Sequence, residues 1–124
     1  MKMVIVDDSI VQLKRLDKLL TEMGHEITGQ GSNGTEAVKL FEEQQPDILF
    51  MDIVMPEIDG FEALRTIKAR HPQARVVLVT STAGVGGQVE LAYRLGAVDV
   101  ISKPFSQDDI QRAIQRLGNG EPHS

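Results

Sequence analysis

Two unbroken apolar runs that stop on carboxylates constrain this chain more than any other feature. Met3-Val4-Ile5-Val6 gives way to Asp7 and Asp8, and Ile48-Leu49-Phe50-Met51 gives way to Asp52. A half-buried strand alternates apolar and polar positions, whereas a run that is apolar throughout suits a strand covered on both faces, as in a parallel sheet between helix layers. A third such run, Val76-Val77-Leu78-Val79, leads into Thr80, Ser81 and Thr82, and a shorter one at 98–101 leads towards Lys103-Pro104-Phe105.

The intervening segments carry helical spacing. Ile10, Leu13, Leu16, Leu20 and Met23 recur every three or four residues, and Gly24 follows as a stop. Glu26-Ile27-Thr28 reads as a short second strand before a Gly31-Ser32-Asn33-Gly34 turn, and residues 35–43 read as a second helix with Ala37, Val38, Leu40 and Phe41 inward. Pro56 and Gly60 mark a loop before Phe61, Leu64 and Ile67, a helix running to His71-Pro72. Gly84, Gly86 and Gly87 predict a pliable loop, with a fourth helix starting between 85 and 88 and burying Val89, Ala92 and Leu95. The last helix is expected over 107–117, with Ser106 and Asp109 in capping-box register and Ile110, Ala113, Ile114 and Leu117 inward.

The pattern is five β-then-α units, an α/β domain. Right-handed crossovers place helices on both faces of a five-stranded parallel sheet, and such sheets bind ligands at the carboxyl ends of their strands. Those ends carry Asp7, Asp8, Asp52, Thr80 and Lys103. The length of 124 residues suits one domain, expected over 1–118, with 119–124 a fraying tail.

Composition narrows the chemistry. Lys and Arg number 13 against 18 Asp and Glu, a net charge of -5, which argues against direct nucleic-acid binding. With no cysteine, disulfides and thiolate sites are excluded, and a reducing cytoplasm is compatible. The apolar run after Met1-Lys2 is too short for a secretory leader, and no run approaches the roughly 20 residues of a bilayer span, so no membrane insertion is expected.

Clustered carboxylates at one rim repel one another, and a hard divalent cation such as magnesium, with manganese as the second option, relieves that conflict. Asp8 is the first choice for direct ligation, Asp7 for ligation through water, and Asp52 for a ligand that is also a nucleophile; Val54 can add only its backbone carbonyl. An aspartate can attack phosphorus. Lys103 would then pair with phosphoryl oxygens as a point charge and Thr80 would donate its hydroxyl. Taken singly, these residues are ordinary caps and exposed charges; together at four strand ends they make a site. His25, His71 and His123 have no zinc-site spacing, Gly84-Val85-Gly86-Gly87 lacks the features of a nucleotide loop, and Met51 and Met55 are assigned to packing. Lys14-Arg15 and Arg65-Lys68-Arg70 read as solvated helix faces.

Val6-Asp7-Asp8-Ser9, Asp52-Ile53-Val54-Met55-Pro56-Glu57-Ile58-Asp59-Gly60, Gly96-Ala97 and Lys103-Pro104-Phe105, in that order and spacing, resemble the receiver domains of two-component response regulators from Met3 to about Leu117. The likeness is greatest to stand-alone chemotaxis-type regulators. It implies a (βα)5 flavodoxin-like fold with strand order 2-1-3-4-5. It also implies magnesium-dependent phosphotransfer from a sensor histidine kinase to Asp52, hydrolysis of the acyl phosphate, and site roles for Asp7, Asp8, Asp52, Thr80 and Lys103. The output implied is altered binding of an effector protein, or phosphorylation-dependent homodimerisation, through the fourth helix, fifth strand and fifth helix.

Two features depart from the family. Where receivers commonly carry Tyr or Phe three residues before the lysine, this chain has Val100, which cannot reproduce the swing of a ring between solvent and core. Counting forward from Asp52 selects Thr80 as the conserved hydroxyl, whereas counting back from Lys103 selects Ser81; one extra residue between Thr80 and Gly87 reconciles them. Val54 and Thr82 would border the path of attacking water. A phosphorylation-independent adaptor, and a carrier that returns phosphate to a phosphotransfer protein, remain as alternative readings.

Overall fold

In a computed structural model that describes residues 1–81 and 87–118, five strands alternate with five helices. In chain order these are β1 (Lys2–Val6), α1 (Ile10–Glu22), β2 (Glu26–Gly31), α2 (Gly34–Gln44), β3 (Ile48–Asp52), α3 (Gly60–Arg70), β4 (Val76–Thr80), α4 (Gln88–Arg94), β5 (Asp99–Ser102) and α5 (Gln107–Gly118). All strands pair in parallel in the order β2-β1-β3-β4-β5, as expected. The expectations for the 84–86 loop, Thr82, His123 and the 119–124 tail lie outside the described residues.

Strand alternation splits the core in two. Val4, Val6, Leu49, Met51, Val76 and Leu78 face Ala37 and Phe41 of α2, Ala63, Leu64 and Ile67 of α3, and Ala92 of α4. Met3, Ile5, Ile48, Phe50, Val77, Val79 and Ile101 face Leu16 and Leu20 of α1 and Ile110 and Ala113 of α5. Every residue of β3 and β4 is buried, which is why these strands read as continuous apolar runs.

Helix ends follow the expected chemistry. Ser9, Asn33 and Asp59 each cap a helix by accepting the N–H three residues on, at 3.3, 2.8 and 2.9 Å. The predicted capping box at α5 is present: Ser106 N–H donates to Asp109 at 2.9 Å and Asp109 N–H donates to Ser106 Oγ at 3.3 Å. Gly24 ends α1 at φ +92°.

The second strand corrects the reading from sequence. It runs on through Gly29, Gln30 and Gly31, past the expected end at Thr28. A Cβ at Gly29 or Gly31 would lie 3.0 Å from the Leu40 side chain, so these glycines admit α2 close to the sheet and do not form a turn. The fifth strand sits one residue later than expected, at Asp99–Ser102.

Candidate functional site

The carboxyl ends of the strands meet at one rim. Asp7, one residue beyond β1, and Asp52, the last residue of β3, are buried; Asp8 is exposed. Each offers a carboxylate oxygen, and these oxygens lie within 4.8 Å of one another. Thr80, the last residue of β4, is buried, and Ser81 beside it is exposed. Lys103 follows β5, and its N–H donates to the Thr80 carbonyl at 2.8 Å, which fixes the lysine backbone against the end of β4.

The Lys103 ammonium turns into the acidic cluster, with Nζ 2.7 Å from Asp7 Oδ2 and 3.3 Å from Asp52 Oδ2. Asp7 is further held by the Ser9 N–H, which donates to Oδ1 at 2.9 Å. The Val54 backbone N–H donates to the Asp52 carboxylate, while Val54 itself is 67% exposed. Behind Asp52, Ile53 N–H donates to the Val79 carbonyl at 3.0 Å and Gly60 N–H to the Ile53 carbonyl at 2.7 Å. Gly60 lies so close to the Asp52 carbonyl and Ile53 Cα that a Cβ there has no room, so the glycine lets α3 begin directly against the site backbone.

Charge governs this arrangement. Burial, and then the Asp7 charge, push the Asp52 pKa above the ordinary carboxylate value, and Lys103 and the Val54 N–H only partly oppose them. Burial draws the Lys103 pKa down, but its hydrogen bonds and charge interactions with Asp7 and Asp52 outweigh that and hold it above the usual lysine value. The Asp52 value is thus raised by its own burial and its acidic neighbour, and that of Lys103 by the two carboxylates it serves. Three aspartates against one lysine leave two negative charges, which a divalent cation balances. The donors are hard oxygens, so the set fits magnesium.

The expected residues Asp7, Asp8, Asp52, Thr80, Lys103 and the Val54 backbone are thus brought to one place. The sequence of the family described as Response regulator receiver domain matches residues 3–115. The chain belongs to the response regulator receiver family. The receiver is 39% identical over 116 residues to the chemotaxis protein CheY of Listeria monocytogenes, covering 94% of this chain and 97% of that one. It is 36% identical to CheY of Thermotoga maritima, covering 94% and 96%. Its fold superposes with TM-score 0.89 and 28% identity on a chain of the CheX-CheY-BeF3-Mg2+ complex from Borrelia burgdorferi, over 95% of this chain and 89% of that chain. As a receiver it has an acidic cluster suited to phosphoryl acceptance and a divalent metal, the chemistry of a signalling switch and not of a turnover enzyme.

Sequence reading missed one buried polar group. Asp99, at the opposite end of β5 from Lys103, is 3% exposed and gathers Tyr93 from α4 and Arg116 from α5. Only the pairing of an acid at a strand start with an arginine 17 residues on could have signalled it. Among the described residues, no helix is long and apolar enough to cross a membrane.

Proposed function

We propose that Asp52 is the phosphoacceptor of this receiver, taking a phosphoryl group from the phosphohistidine of a sensor histidine kinase. The observation that carries the reading is the buried Asp52 carboxylate at the rim, grouped with the Asp7 and Asp8 oxygens and 3.3 Å from the Lys103 ammonium. An Asp52 oxygen forms the bond to phosphorus as the phosphorus–nitrogen bond of the donor breaks; the imidazole nitrogen keeps the electron pair and takes up a proton. Water later attacks the phosphorus, restoring the carboxylate and releasing inorganic phosphate.

The metal's ligands would be the Asp7, Asp8 and Asp52 carboxylates and the Val54 carbonyl; magnesium, or manganese in its place, supplies charge neutralisation for the transferring oxygens. Lys103 turns its ammonium from the carboxylates to a phosphoryl oxygen, and Thr80 donates its hydroxyl to another. The position of Thr80 at the strand end, with Ser81 exposed beyond it, favours Thr80 for that hydrogen bond.

The phosphorylated domain switches its binding of an effector or phosphotransfer protein, or of a second copy, through α4, β5 and α5. The complex of CheX and CheY with BeF3 and magnesium supports an output that is a protein contact. The reading is of a cytoplasmic protein. Borohydride reduction tests the acceptor: an acyl phosphate on Asp52 is converted to homoserine at position 52, and peptide mapping that finds the label on Asp7 or Asp8 instead would refute the assignment.

A further inference from the structure

Asp99 takes no part in the chemistry at the rim, yet it is buried as deeply as Asp7 and Asp52. It opens β5, the edge strand whose other end leads into Lys103. Its Oδ1 accepts from the Tyr93 hydroxyl at 3.1 Å, from the Val100 N–H at 2.8 Å and from the Arg116 guanidinium at 2.6 Å. Its Oδ2 is also buried and has no hydrogen-bond partner. The Arg116 side chain is one-third exposed, so the pair is buried only on its Asp99 side; an ion pair taken partly out of water adds little stability over apolar packing, and its best-attested use is to fix one arrangement among several.

Two features make this node a candidate relay. It joins α4 and α5 to the start of a strand only four residues long, about 13 Å at ordinary strand rise, whose far end is held at the rim by Lys103. The unpartnered Oδ2 also provides a second acceptor, so a donor that passes to it from Oδ1 stays paired and satisfies an oxygen that is otherwise buried without a partner.

We propose that the Tyr93–Asp99–Arg116 node transmits the state of Asp52 to α4 and α5, with Tyr93 supplying from the helix the aromatic hydroxyl that Val100 does not supply from the strand. The inference rests on Asp52 being the phosphoacceptor. When Lys103 turns from the carboxylates to a phosphoryl oxygen, the end of β5 moves with it and the hydrogen bonds at Asp99 redistribute between the two oxygens. Tyr93 and Asp99 are positioning residues: neither touches the reacting atoms.

Tyr93 is the sole tyrosine and the chain has no tryptophan, so intrinsic emission comes from the ring of this node. The full chain is treated with magnesium and acetyl phosphate while intact mass, tyrosine emission and hydrogen exchange of α4 and α5 are followed. Wild type should gain a phosphoryl group and change both emission and exchange. Tyr93→Phe, which keeps the ring, and Asp99→Asn should accept the phosphoryl group to the same extent, while the phosphorylation-dependent change in exchange falls about fivefold, the scale of one hydrogen bond. The double variant should lose no more than either single one. A purely structural role would alter exchange equally with and without phosphate, so a full phosphorylation response in Tyr93→Phe overturns the proposal. Phosphorylation of wild type with no change in emission overturns the node alone; no phosphorylation of wild type overturns the Asp52 reading and the node with it.

Discussion

Among the described residues, Lys103 is the single ammonium paired with the acids at the rim, and its removal should show how much of the fold depends on it. Lys103→Ala leaves two buried carboxylates without their counter-charge, and the metal-free protein should lose about 3 kcal/mol of stability. Millimolar magnesium should restore much of that, because the cation replaces the missing positive charge; urea unfolding with and without the metal measures both effects. Asp52→Asn should act in the opposite direction. The folded-state pKa of Asp52 is raised, so its protonated form favours folding; that contribution is complete below the unfolded-state pKa and is lost as pH rises through the folded-state pKa. At neutral pH without metal, Asp52→Asn should therefore be more stable than wild type by about 1 kcal/mol. The difference should close as pH falls to about 4 and below, where wild type is also protonated. Unfolding curves at both pH values decide it, and an Asn variant less stable at neutral pH would contradict the charge account.

At the scale of elements, the ends of helices and the glycines beside them are the sensitive points. Ser106→Ala removes half of the capping box at α5 and should cost about 1 kcal/mol, read from the urea midpoint at unchanged slope. Gly60→Ala should cost more, about 2 kcal/mol or above, because the new methyl group meets the Asp52 backbone, and it should slow phosphoryl uptake by displacing the acceptor. The elements themselves were legible in the sequence because a strand buried on both faces has no polar interruptions, and because Leu13, Leu16 and Leu20 do pack on one side of α1, although Ile10, expected in the same stripe, is 69% exposed at the start of the helix. Gly31 was misread for a physical reason: a glycine that bends the chain and a glycine that makes room for Leu40 look alike without the neighbour.

Across the whole molecule, parallel topology made the site legible before any coordinate. All strands of such a sheet point the same way, so residues that follow separate apolar runs must share a rim, and Asp7, Asp8, Asp52, Thr80 and Lys103 do. The Asp99 node was not legible, since it depends on how far α4 and α5 return over the edge of β5, a matter of helix placement and not of strand order. It bears on how the switch is read out, because α4, β5 and α5 are tied through one buried carboxylate while Val100 between that carboxylate and Lys103 has no polar group in its side chain. The central claim is that this assembly of charges serves phosphoryl transfer to Asp52. Purified wild type and Asp52→Asn should be incubated with a small phosphodonor, with and without magnesium, and their intact masses compared. The account predicts one added phosphoryl group on wild type, only with the metal, and none on Asp52→Asn; equal modification of both proteins, or none on wild type with magnesium bound, would contradict it.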